Sequence, residues 1–329
     1  MSPITYAEIL SARERIAPYA RRTPVMTSSG IDELFNACIF FKCENFQKTG
    51  SFKFRGALNA VASLSPDERA RGVVTHSSGN HGQALARAAQ EFQIPAYIVV
   101  PNDAPREKVD AIRSYGGEVI PCEPTTRGRE ETAAEVRERT GAIPIDSHDD
   151  PLVIAGQGTA AIELLEETGP LDAILVPVGG GGLISGTAIA AGEISPETEV
   201  IGCEPAGADD AYRSLREGRR ITDFTPQTIA DGLRTPLGHL TFSIMKERIR
   251  RIVRVSDEEI VAAMRLAWER LKIVIEPSGG VPLAALIGGE LPAAGRRIGV
   301  ILSGGNIGAE RLTCLFSVGD NRRFKDRAG

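Results

Sequence analysis

Lys53 sits in the run Ser51-Phe52-Lys53-Phe54-Arg55-Gly56, a cation set between aromatic side chains. Two glycine-rich turns lie further along, Ser77-Ser78-Gly79-Asn80-His81-Gly82 and Gly179-Gly180-Gly181-Gly182. An amine flanked by Phe52 and Phe54 is desolvated, and a neighbouring cation at Arg55 adds to that. Both effects lower its pKa, which an amine that forms a Schiff base requires. On the hexapeptide alone the plainer reading is a lysine with a packed stem and a solvated head.

The tetraglycine follows an apolar run at 173–178 and precedes a helical pattern at 183–191. Its N–H groups can turn inward as a nest at the positive end of a helix dipole, where a phosphate binds. It is not a dinucleotide fingerprint, because no placement yields Gly-x-Gly-x-x-Gly. Lys48-Thr49 lacks the glycine of a Walker motif. The Ser77–Gly82 turn also follows a strand pattern and opens a helix. It offers two hydroxyls, an amide, an imidazole and several N–H groups, enough to hold a carboxylate. A capped helix N-terminus is its structural reading, and a serine-hydrolase elbow is excluded by the absence of Gly-x-Ser-x-Gly. A third turn, Ser303-Gly304-Gly305-Asn306, follows the apolar run 298–302. It places the Ser303 hydroxyl at the C-terminal edge of a parallel sheet, where α/β proteins bind ligands.

The elements that must position these turns alternate. Short β-branched runs at 73–75, 96–100, 118–122, 142–145, 173–178, 199–203 and 298–302 are separated by helical patterns, and 256–271 reads as one long amphipathic helix. This predicts an α/β fold of two domains, with mainly parallel sheets covered by helices. A small domain at 72–149 is inserted into a large one made of 1–71 and 150–329. The 329 residues suffice for a substantial core. A net charge of -5 and a pI near 5.6 give no reason to expect nucleic acid or a membrane surface as partner. Five scattered cysteines without a Cys-x-x-Cys pair argue against disulfides and zinc and fit a reducing compartment. No stretch resembles a signal peptide or a membrane span, so a cytoplasmic location is expected.

Further motifs join these in order: Glu44-Asn45-Phe46-Gln47, Ala155-Gly156-Gln157-Gly158-Thr159, Ile229-Ala230-Asp231-Gly232 and Ile275-Glu276-Pro277. Over nearly its whole length the chain resembles the serine/threonine dehydratase and serine racemase family of pyridoxal-phosphate enzymes, with the tryptophan-synthase-β-like fold. The resemblance implies that Lys53 carries pyridoxal 5'-phosphate as a Schiff base and that Phe52 packs near its ring. It assigns Asn80 to the ring hydroxyl, and Gly179, Gly180, Gly181, Gly182 and Leu183 to the phosphate. Ser303 falls to the pyridine nitrogen. A hydroxyl there cannot hold the nitrogen protonated as a carboxylate can, which favours elimination over chemistry needing a long-lived carbanion.

By the same resemblance the freed Lys53 amine removes the substrate's α-proton, and Ser77, Asn80, His81 and Gly82 hold the substrate carboxylate. Ser78 matches the second base of the racemase branch. Glu204, Ala208 and Asp210 match a divalent-cation loop suited to Mg²⁺ or Ca²⁺, although an acidic helix start is the plain alternative. The implied activity is dehydration of a β-hydroxy amino acid to a 2-oxo acid and ammonia, in a homodimer. A serine-type racemase with side elimination is the alternative, and a non-catalytic ligand-binding protein a more distant one. The chain departs from the commonest pattern at Leu233-Arg234-Thr235. Arg234, or Arg129 in the small domain, could therefore pair with a second substrate carboxylate, which points to 3-hydroxyaspartate or another amino acid larger than serine. The chain ends about two dozen residues after Ser303, so no C-terminal effector domain is expected.

Overall fold

The computed structural model describes residues 4–318. Its strands are β1 (Val25–Met26), β2 (Cys38–Cys43), β3 (Val73–His76), β4 (Ala96–Pro101), β5 (Glu118–Cys122), β6 (Ile143–Pro144), β7 (Ala173–Pro177), β8 (Glu199–Pro205), β9 (Arg251–Val255) and β10 (Arg297–Leu302). They form a six-stranded sheet in the order β1-β2-β10-β7-β8-β9 and a four-stranded sheet in the order β5-β4-β3-β6. Every pairing is parallel except β1 with β2. Helices cover the sheets, so central strands such as β7 are buried at every position and carry apolar residues without alternation.

Parallel pairing sends the C-terminal ends of all strands in a sheet to one edge. On the small sheet that edge collects the Ser77–Gly82 turn after β3, Arg129 beyond β5, and Asp146-Ser147-His148 beyond β6. On the large sheet it collects Glu44, the tetraglycine and Ser303, after β2, β7 and β10, and Glu204, the last residue but one of β8.

Three strands are absent from the sequence pattern: the two-residue β1, β2 and β9. β2 carries a lysine in mid-run, and Lys42 is fully buried. β9 reads Arg-Ile-Val-Arg-Val, with charges that mask its buried face. The single helix expected over 256–271 is two pieces. Helix Asp257–Leu266 starts with a capping box in which Ser256 Oγ accepts from Glu259 N–H, and it then widens into a π-helical turn, Ala267–Leu271. Lys272 closes that turn in the left-handed region at φ 60.

The Gly156 segment allows a close helix crossing. A Cβ on Gly156 would lie 2.6 Å from the Arg55 carbonyl and 2.6 Å from Gly56 Cα, so helix Pro151–Thr168 packs backbone to backbone on helix Lys53–Ala62. Beside this crossing lies a buried group of charges. Arg55 Nε and Nη2 donate to the two oxygens of Glu44 at 2.7 and 2.8 Å, and Nη1 and Nη2 donate to Glu163 at 2.7 Å each. Lys42 Nζ donates to Glu163 and to the Thr23 carbonyl, both at 2.7 Å. Two cations thus face two carboxylates, with the Arg55 guanidinium fully engaged.

Removing one member of such a set leaves an uncompensated buried charge, at a cost of about 3–5 kcal/mol. Arg55→Met is expected to lose that much in urea unfolding of the purified protein. A loss under about 1 kcal/mol, the size of an exposed pair, would show that the group adds little.

Candidate active site

Lys53 is the first residue of helix Lys53–Ala62. The strand-like segment before it is laid on the end of β10. Ser51 bridges Gly304, Phe52 N–H donates to the Ser303 carbonyl at 3.0 Å, and Gly305 N–H donates to the Gly50 carbonyl at 2.9 Å. This pairing brings Lys53 and Ser303 together although 250 residues of chain separate them. Ser303 itself is almost fully buried. Lys53 Nζ lies 5.2 Å from the centre of the Phe52 ring and donates to the Ser147 carbonyl at 2.6 Å.

Burial pushes the Lys53 amine down to about 8, against the opposing pull of Asp146. The expected contribution of Arg55 is absent. Positions i and i+2 do not share a helix face, and the guanidinium points into the buried charge group, where Glu44 and Glu163 neutralise it. Phe54, the other expected neighbour, is fully buried in the core against Leu58 and Leu85. Desolvation without a local cation sets this amine.

Opposite lies the tetraglycine, between β7 and helix Gly182–Ile194. Gly181 adopts φ 89, and a Cβ there would lie 2.9 Å from both Leu237 and Thr241. A Cβ on Gly180 would collide with the His148 ring. The Gly180 carbonyl is turned away, accepting the Thr241 hydroxyl at 2.7 Å. The N–H groups of Gly179, Gly180 and Gly181 have no acceptor among the described residues. A row of open donors at a helix N-terminus fits a phosphate.

The third wall is the start of helix Asn80–Glu91, which begins three residues earlier than the pattern suggests and has no side-chain cap. Its first-turn N–H groups are therefore open to an anion. Ser77 Oγ accepts Gly79 N–H at 3.3 Å. The Asn80 amide is already engaged across the cleft: its Nδ2 donates to Glu276 at 2.7 Å, and its Oδ1 accepts from Asn306 Nδ2 at 2.8 Å. One Nδ2 hydrogen remains free for a ligand oxygen.

The His81 side chain is turned away from the helix N-terminus it helps to open. Its Nε2 faces the Ile145 carbonyl at 3.1 Å, so that nitrogen carries the hydrogen and the buried, unpartnered Nδ1 is a bare acceptor. Burial, with Lys53 nearby, pushes the ring down to about 3. A neutral imidazole with only a lone pair free cannot hold a carboxylate; the His81 backbone N–H can. Gly82 is buried so closely beneath the Ser77 carbonyl that a side chain would collide with it.

The two candidate arginines differ. Arg234 Nε and Nη2 both donate to the Thr228 carbonyl, which holds the guanidinium on its own loop. Arg129 is half-buried, with an Nε that is buried and has no partner.

Residues 16–304 match the family described as pyridoxal-phosphate dependent enzymes. This chain belongs to that family. It is 50% identical to the β-hydroxyaspartate dehydratase of Paracoccus denitrificans over 308 residues, covering 94% of this chain and 98% of the relative. It is also 50% identical to the serine racemase of Schizosaccharomyces pombe over 314 residues, covering 95% and 97%. The crystal structure of serine racemase from Dictyostelium discoideum superposes with a TM-score of 0.89 at 48% identity, covering 93% of this chain and 99% of that one. The α/β fold with mainly parallel sheets and the resemblance read from the motifs are both upheld. Among the described residues no helix is long and apolar enough to cross a membrane.

Pyridoxal phosphate fits the groups present: an open N–H row suits a phosphate, a desolvated amine an aldehyde, and the buried Ser303 hydroxyl a ring nitrogen. Three contributors escaped sequence reasoning: Asn306, which ties Asn80 to the Thr49 carbonyl at 2.7 Å, Glu276, and the segment Asp146-Ser147-His148. Glu276 sat in a quoted motif and Asn306 in a quoted turn; the third segment carried no motif at all. Burial, and then Asp231, push the Glu276 carboxyl up to about 8, so at neutral pH it is held mostly protonated beside Asn80.

An amine near 8 is mostly protonated below that pH and free above it. Schiff-base formation between cofactor-free protein and added pyridoxal phosphate, followed by visible absorption, should therefore quicken about tenfold per pH unit from roughly pH 6 to 7 and level off above about 8. A rate flat across that span would show that Lys53 is not the titrating nucleophile.

Proposed function

We propose that this chain is a pyridoxal-phosphate-dependent dehydratase that eliminates water from a β-hydroxy amino acid, giving a 2-oxo acid and ammonia. The observation that carries the reading is the Lys53 amine, set between an open phosphate cradle and an uncapped, serine-rich helix start. When bound, the cofactor supplies an electron sink for the substrate's α-carbon. Gly179 to Gly182 with Leu183 would hold its phosphate, Phe52 and Asn80 its ring and hydroxyl, and Ser303 its ring nitrogen. Lys53 would anchor it and, as a free amine, would take the α-proton as general base. The N–H groups of Ser77 to Gly82 orient the substrate carboxylate, with Asn80 held ready by Glu276 and Asn306. The four-stranded unit, 72–149, serves as the substrate-binding domain, and the working form is a cytoplasmic homodimer.

For substrate class we choose Arg129 over Arg234 as the ligand of a second carboxylate, because its Nε is buried and uncommitted. That favours 3-hydroxyaspartate, in line with the Paracoccus relative. Release of 2-oxo acid should be strongest from a 3-hydroxyaspartate isomer among a panel with serine and threonine, and absent in Lys53→Ala. Arg129→Met should lower kcat/KM for hydroxyaspartate about 10–100-fold, the worth of a charged hydrogen bond, and leave serine nearly unchanged. If Arg234→Met does this and Arg129→Met does not, the two roles are reversed.

A second reading, amino-acid racemisation, is favoured by Ser78, whose half-buried hydroxyl has no partner among the described residues, and by the equal identity to a serine racemase. Enantiomer exchange lost in Ser78→Ala while elimination persists would mark it as a second activity.

A divalent cation completes the proposal. Glu204, near the end of β8, and Asp210, just beyond that strand, are fully buried. Glu204 accepts the N–H groups of Ala211 and Tyr212, both at 2.9 Å, and Asp210 Oδ2 that of Leu237 at 3.1 Å, while Asp210 Oδ1 has no partner. Burial, and then Asp210, raise the Glu204 carboxyl well above its usual range, and burial raises Asp210 to about 7. Two buried carboxylates this reluctant to ionise fit Mg²⁺ or Ca²⁺, with the Ala208 carbonyl and waters completing the shell. Among the described residues no cluster of three or more His, Cys, Asp or Glu offers a denser cage. The cation must displace protons, so millimolar Mg²⁺ should raise the melting temperature more at pH 8 than at pH 6, and Glu204→Gln should abolish the rise. A rise unchanged by that substitution would place the cation elsewhere.

A further inference from the structure

His148 has no place in the roles assigned so far, yet it lies where the three walls meet. Its predecessor Ser147 accepts the Lys53 amine through its carbonyl at 2.6 Å, and its own ring covers Gly180 of the cradle, while its backbone approaches Gly182. The segment is held firmly. Asp146 Oδ1 accepts the N–H groups of His148 and Asp149 at 2.8 and 2.7 Å. Asp149 in turn caps helix His239–Arg248, accepting from His239, Leu240 and Thr241 at 2.9, 2.9 and 3.1 Å. An imidazole mounted on so rigid a turn is placed to touch whatever lies between Lys53 and the tetraglycine.

Its hydrogen-bonding sense follows from its neighbours. Nδ1 is 2.9 Å from Ser147 Oγ and 3.4 Å from Asp146 Oδ1. That carboxylate oxygen is already engaged by two backbone N–H groups. In the tautomer in which the Ser147 hydroxyl donates to Nδ1, the ring hydrogen sits on Nε2. Nε2 has no partner among the described residues, and the side chain keeps 15% of its surface open. Burial lowers the ring's pKa; Lys53 and His76 act in the same direction, Asp146 and Asp149 oppose it, and His81 faces it as a neutral ring. The imidazole is thus an uncharged donor, the state in which a histidine polarises an oxygen without taking a proton from solvent.

We infer that His148 contacts the substrate directly, with Nε2–H donating to its β-hydroxyl oxygen, and so selects amino acids that carry oxygen at that carbon. The inference rests on the dehydratase reading. Holding this oxygen as its bond to carbon weakens stabilises the charge that gathers there. The C–O bond breaks with its electron pair on oxygen, the hydroxyl takes up the proton that Lys53 removed from the α-carbon and leaves as water, and His148 itself is returned unchanged.

The test compares two leaving groups in the cofactor-loaded enzyme: a β-hydroxy amino acid and β-chloroalanine, whose chloride departs without a strong hydrogen bond. His148→Phe keeps a planar ring and removes the donor; His148→Asn keeps a donor. In His148→Phe, kcat/KM for the hydroxy substrate should fall about 10–100-fold, with β-chloroalanine within a few-fold of wild type. His148→Asn should recover most of the loss. Cofactor affinity by absorption titration and the melting temperature should match wild type in both variants. Equal losses on both substrates, no loss on either, or loss of cofactor binding would each overturn the inference; the last would make the ring part of the cradle. If wild-type protein eliminates chloride but releases 2-oxo acid from no hydroxy amino acid, the dehydratase reading falls and this inference with it.

Discussion

The Arg55 guanidinium reaches Glu44 at the end of β2 and Glu163 on the helix packed across it, with Thr159 and Thr23 at the margins. It does so from the second position after Lys53. The lysine that makes this chain chemically distinctive is thereby fixed at its root, on a helix tied by buried ion pairs and by a glycine-to-glycine crossing. Such pairs add little net stability over apolar packing, but they admit one arrangement only. A helix sliding by one residue would strand two carboxylates out of water. What the buried group contributes is register, and the active-site amine depends on that register.

From that anchor the site is assembled by edge geometry. Parallel sheets gather their strand ends, and the segment before Lys53 is hydrogen-bonded onto the end of β10, bringing lysine and Ser303 to one point. The cleft between the sheets is crossed by Asn80, Glu276 and Asn306, and also by Lys108 with Asp231 at 2.8 Å. Within it, ionisable groups are held away from their usual charge states by burial: an amine partly free, imidazoles neutral, Glu276 protonated. An electron-demanding cofactor with an anionic phosphate suits a lining that is rich in donors.

Much of this was legible in the sequence. The glycine turns read as anion cradles because only glycine permits the φ of 89 at Gly181 and the close approach to Gly180, and apolar runs without alternation read as buried parallel strands. What misled were charges in unexpected places. Lys42 hid β2, and Arg55 was taken for a neighbour of Lys53 when its side chain leaves on another face. His81 keeps only its backbone N–H for a ligand, because its one ring hydrogen goes to the Ile145 carbonyl. No local pattern tells whether a charged side chain will meet its counter-charge 100 residues away.

The residue types and their spacing determined the fold class and the family, and they singled out Lys53 and the tetraglycine as the candidate amine and anion cradle, since these rest on local backbone demands that only certain residues meet. Tertiary structure alone decided which side chains face one another: that Arg55 serves the scaffold, that Asn80 is clamped by Glu276 and Asn306, and that His148 stands over Gly180 beside the lysine. Protonation followed from that placement. Burial and the sum of nearby charges set a pKa, and both are properties of the folded chain.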